Sequence, residues 1–85
     1  MQRKVMLTML RLKNIKIGRN FAEADFYPED CPACGHVVID LPSGTIRDYS
    51  EVSGYGASYI AHARQNLVRI AKEQNPQNEC LIMWY

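Results

Sequence analysis

One stretch constrains this chain more than any other: Gly54 to Gln74, GYGASYIAHARQNLVRIAKEQ, the only segment with a sustained helical period. Ile60, Ala63, Leu67, Ile70 and Ala71 recur at three-and-four spacing and so line one stripe of an α-helix, while Arg64, Gln65, Arg69, Lys72 and Glu73 fall elsewhere. Gly54 and Gly56 let the chain turn, Ser58 is the expected N-cap and Asn75-Pro76 is a stop signal, which predicts a helix from about Ser58 to Gln74. A helix with one apolar stripe needs a matching surface. The rest of the chain must supply it.

The rest reads as strands. Leu10 and Leu12 lie on one parity and Ile15 and Ile17 on the other, and a β-bulge near Lys13 and Asn14 would bring all four to one face. After Gly18-Arg19-Asn20, Phe21 to Tyr27 alternates Ala22, Ala24 and Phe26 against Glu23, Asp25 and Tyr27, so these two runs predict a hairpin. Pro28 to Gly35 is a loop. The continuous run His36 to Leu41 predicts a strand near the middle of the sheet; Pro42-Ser43-Gly44 is a turn, and Thr45 to Val52 a more polar strand nearer an edge. Glu79 to Tyr85 is the last strand, with Cys80, Ile82 and Trp84 on one side.

The order ββββαβ predicts an α+β two-layer sandwich: a mainly antiparallel sheet of about five strands with one helix packed on one face. A right-handed crossover would let the last strand, entered by way of the helix, run parallel to a neighbour. Residues 1–9 are expected to form a flexible tail and residues 10–85 a single domain. At 85 residues the chain has room for one modest core and no second domain.

Charge and cysteine usage narrow the partners and the compartment. A formal net charge of +1 argues against a nucleic-acid or anionic-membrane partner, and no apolar run approaches the roughly 20 residues that span a bilayer. Three cysteines cannot all pair within one chain, and the run Val5 to Leu10 is too short for a secretory signal. A cytoplasmic protein with reduced thiols is expected.

The segments YPED (Tyr27 to Asp30), GHVVIDL (Gly35 to Leu41), GYGASYIAHA (Gly54 to Ala63) and ECLIMWY (Glu79 to Tyr85) resemble a family of short uncharacterised bacterial proteins that end in MWY. The resemblance spans most of the chain after Met9. It implies a class and no activity, and it implies that relatives need not carry the Cys31 and Cys34 pair.

Cys31-Pro32-Ala33-Cys34-Gly35-His36 is the sharpest local signal, because C-P-x-C-G is a knuckle that offers two thiolates to one metal. A closed zinc site needs four ligands, and His36, Cys80 and His62 are the only soft candidates left, so Cys31, Cys34, His36 and Cys80 form the candidate set. Two knuckles could also complete a site across a dimer. A redox role is weaker, since a strand rather than a helix follows the pair. Ordinary reduced cysteines in a surface turn remain the preferred reading, and no cofactor is expected.

Two further features carry less. Gly54-Tyr55-Gly56 lacks the spacing and lysine of a phosphate-binding loop and is better explained as a turn. Tyr55, Tyr59, His62, Asn66 and Arg69 form a second helical stripe, able to line a ligand cleft or a partner surface, although a half-buried flank is the commoner arrangement.

No catalytic constellation is expected. G-x-S-x-G and H-E-x-x-H are missing, His36 and Asp40 stand about 13 Å apart on an extended strand, and Glu29 and Asp30 are read as solvated loop residues. The sheet face away from the helix is expected to carry Tyr27, Arg47, Tyr49 and one of Trp84 or Tyr85, beside acidic Glu23, Asp25 and Glu51. Such a face could stack single-stranded bases, yet its carboxylates repel phosphates, and a protein contact fits better. The expected function is a small non-catalytic binding or protein-interaction module that self-associates, with zinc binding and single-stranded nucleic-acid binding as the alternatives.

Overall fold

The computed structural model describes residues 8–29, 31–73 and 78–84. Five strands and one helix follow in the order β1 (Thr8–Ile17), β2 (Phe21–Pro28), β3 (Gly35–Asp40), β4 (Thr45–Ser50), α1 (Ala57–Glu73) and β5 (Cys80–Trp84). They form one antiparallel sheet, β4-β3-β2-β1-β5, with the helix packed on one face, which is the expected α+β architecture. No helix among the described residues is long and apolar enough to cross a membrane.

The last strand departs from the expectation. β5 runs antiparallel to its neighbour β1, with Leu10 opposite Ile82 and Thr8 opposite Trp84. The helix still returns the chain so that β5 points the same way as β4. It carries the chain across the whole sheet, however, from one edge to the other, and the strand waiting there is β1. Of the stretch expected as a tail, Thr8 and Met9 already pair with Trp84 and Met83, while residues 1–7 lie outside the described residues.

Alternation builds the core. Leu10, Leu12, Ala22, Ala24, Phe26, Val37, Ile39 and Ile82 on the sheet meet Ile60, Ala63, Leu67 and Ile70 on the helix, all buried. Burying the helix's larger side chains is worth roughly 1.5–3 kcal/mol each before entropy is counted. The bulge foreseen in β1 is present: the register shifts between Lys13 and Lys16, and Asn14 takes the left-handed conformation at φ 54°. It turns Ile15 into the core, while Ile17, on the same face beyond the helix, stays 42% exposed.

Two glycines matter to the geometry. Gly44, with φ 73°, closes the β3–β4 turn by donating its N–H to the Asp40 carbonyl at 2.7 Å. Gly35 opens β3 where the Phe26 ring and the Ser50 carbonyl press against its Cα, leaving no room for a side chain. At the helix start Gly56, not Ser58, takes the cap position, because its carbonyl accepts the Tyr59 N–H at 3.2 Å and α1 already begins at Ala57.

Candidate functional site

The second helical stripe leads to β5. Tyr55 and Tyr59 meet edge to face at 5.3 Å, Tyr59 meets Trp84 at 5.5 Å, and the His62 ring stacks on Trp84 at 3.8 Å. Further along, Asn66 donates to the His62 carbonyl at 2.8 Å, and Arg69 donates to Asn66 Oδ1 at 3.1 Å, Glu73 Oε1 at 3.0 Å and, weakly, Cys80 Sγ at 3.9 Å. All five predicted residues therefore share one row, but the row is occupied. It clasps the helix side of β5 instead of lining an open cleft.

Glu29 anchors the clasp and went unrecognised in the sequence, where it reads as a solvated loop residue. Its Oε2 accepts the Tyr59 hydroxyl at 2.7 Å and the Met9 N–H at 3.0 Å, and its own N–H donates to the Met9 carbonyl at 2.9 Å. A left-handed backbone at φ 54° aims it there. Burial, and then the Glu29 carboxylate, push the Tyr59 hydroxyl up to about 12. Nothing in composition or periodicity marks that role; Asp30 lies outside the described residues.

The two sheet edges are unlike. Along β4 the pairing jumps from Ile39–Ile46 to Val38–Asp48, so Arg47 is an extra, unpaired residue; it reaches back to Asp40 at 2.6 Å. That bulge and the charges of Arg47 and Asp48 blunt the edge. β5, CLIMW, has no charge, no proline and no shift in its pairing with β1. Its outward side chains Leu81 and Met83, on the sheet face away from the helix, are 50% and 57% exposed.

On the open face the register places Asp25 opposite His36. His36 Nδ1 lies 2.7 Å from Asp25 Oδ1 and Nε2 lies 3.1 Å from Glu23 Oε2, while Asn14 donates to Asp25 Oδ2 at 2.9 Å. The Asp25 bond raises the His36 pKa above its ordinary value, with Glu23 adding to it and burial opposing. Asn14 and then His36 lower that of Asp25. Both imidazole nitrogens are engaged by carboxylates, which makes this a cross-strand tie.

Among the described residues the aromatic platform expected on this face is not assembled. Tyr49 pairs with Val37 and Trp84 with Thr8, and both lie on the helix side; the Arg47 bulge flips Tyr49, and the Leu10–Ile82 register turns Trp84 inward. Tyr27 and Arg47 remain on the open face, and Tyr85 lies outside the described residues.

The four candidate metal ligands do not converge as one set among the described residues. His36 is tied to Asp25 and Glu23, Cys80 lies under Arg69, Cys31 packs against the core, and Cys34 is exposed beside the Tyr27 hydroxyl, whose pKa it raises. Among the described residues no three His, Cys, Asp or Glu side chains converge as a metal site. Comparison with protein-family models, with curated proteins and with solved structures found no match.

Proposed function

We propose that the protein is a small non-catalytic interaction module that self-associates by pairing the β5 edge of one copy with that of another. The unblunted edge carries this reading. A free row of backbone N–H and C=O groups on a short apolar strand is a template for another strand, and proteins that stay single block such edges with charge, proline or a bulge. Among the described residues this chain blocks β4 in that way and pairs no strand with the outer edge of β5. Continuing the sheet across a two-fold axis would cover the exposed flanks of Leu81 and Met83 and satisfy the edge. Unpaired Cys31, Cys34 and Cys80 fit a cytoplasmic setting.

Light scattering over a dilution series tests it. The mass should rise with concentration from the 9.8 kDa of one chain toward twice that value. Replacing Leu81 and Met83 by lysine should hold the mass at one chain, since both side chains are exposed and their exchange leaves the core intact. A wild-type chain that stays single at high concentration removes the proposal, as does a double variant that associates equally well.

A further inference from the structure

The open face sorts its charges. Glu23 and Asp25 are engaged by His36 and Asn14, and Asp40 by Arg47. Arg11, Lys13 and Lys16, which follow one another along the same face of β1, form no ion pair with any described residue. Arg11 and Lys13 also stand between two hollows. One, of about 300 Å³, is lined by Arg11, Lys13, Tyr27, Glu29, Cys31 and Pro32. The other, of about 270 Å³, adds Glu79 and Leu81 on the β5 side of the same two cations.

We propose that Arg11 and Lys13 are the anion seat of a binding site for a small phosphate monoester, whose body lies in the hollow beside Tyr27, Cys31 and Pro32. Two cations two residues apart on one strand face project side by side, about 7 Å apart at the backbone. A tetrahedral dianion with three terminal oxygens can accept from both. Among the described residues each hollow is also lined by one carboxylate. Glu29 has its Oε2 held by the Tyr59 hydroxyl and the Met9 N–H, and Glu79 lies on the β5 side of the two cations. Arg11 and Lys13 form no ion pair with a described residue, and a dianion with three terminal oxygens gains more from two such donors than a single carboxylate would. Lys13 Nζ, 5.0 Å from the centre of the Tyr27 ring, is held over the seat by a cation–π contact. The proposal does not rest on self-association at β5, although Leu81 of that edge is the cross-strand neighbour of Arg11.

Cys31 lines the hollow and reports its occupancy. Alkylation of Cys31 by iodoacetamide, followed peptide by peptide in the full chain at constant ionic strength, is compared with AMP, with adenosine and with neither. AMP should slow Cys31 several-fold and saturably, with half-effect on the order of 1 mM, as befits a few solvent-exposed charge-assisted contacts. Adenosine, which lacks the phosphate, should not. The double variant R11Q/K13Q, both positions lying outside the core, should keep its helical circular dichroism and lose the AMP effect. Equal protection by adenosine, no protection at about 10 mM AMP, or undiminished protection in the folded double variant would each overturn the assignment.

Discussion

The tie between β2 and β3 makes stability depend on pH in a direction that can be worked out. His36 has a folded pKa above its unfolded value of 6.5, so its contribution is fully present below pH 6.5 and is lost as pH rises through the folded value. Asp25 is the reverse: its folded pKa lies below 3.8, so its contribution is present above that value and is lost as pH falls through the folded one. The tie is therefore strongest between about pH 4 and 6.5 and weakens on either side. Side-chain exposures of 43% for His36 and 26% for Asp25 limit its size, because water screens such pairs. About 0.5–1 kcal/mol is expected, or a few degrees in melting temperature for a domain this small. The perturbation is His36→Gln, and the assay is urea unfolding of both chains at pH 5.5 and pH 9. The variant should be less stable than wild type at pH 5.5, and the difference should shrink at pH 9. A loss that is the same at both values, or a His36 that titrates at or below 6.5 by NMR, would refute the reasoning.

Three further outcomes test other parts of the structure. Gly35→Ala drives a methyl group into the Phe26 ring and the Ser50 carbonyl, one of them fixed backbone, and should cost about 1–3 kcal/mol in urea unfolding. Tyr59→Phe removes one of two donors to a half-buried carboxylate and should cost about 1–2 kcal/mol, and in wild type one tyrosine should ionise near 12 in a spectrophotometric titration. With no three candidate ligands converging among the described residues, the purified chain should carry no stoichiometric zinc; one equivalent per chain, or one per two chains, would revive the knuckle at Cys31 and Cys34.

Much of the fold is written in local pattern, because burial imposes a period on each element. The stripe Ile60, Ala63, Leu67 and Ile70 gives the helix and its buried face, and the parity break between Leu12 and Ile15 gives the bulge at Asn14. What pattern cannot carry is the choice of partner. A crossover can land beside any open strand, so the pairing of β5 with β1 depends on which edge the helix can reach, and Trp84 faces the helix only because Ile82 meets Leu10. The same holds for the polar contacts. Asp25 and His36 meet because β2 and β3 pair in one register, and a shift of one residue would put them on opposite faces. The stripe from Tyr55 to Arg69 is legible as a row, yet that it is filled by Trp84 and Cys80, and anchored by Glu29, requires the assembled sheet.

The unprotected edge is the centre of the account, and amide hydrogen exchange reads it directly. At low concentration those amides of Cys80–Trp84 that point away from β1 should exchange freely, and they should become protected as concentration rises, while the β4 amides do not change. Exchange in β5 that is fast and independent of concentration would contradict it, as would protection that is already complete in the most dilute sample.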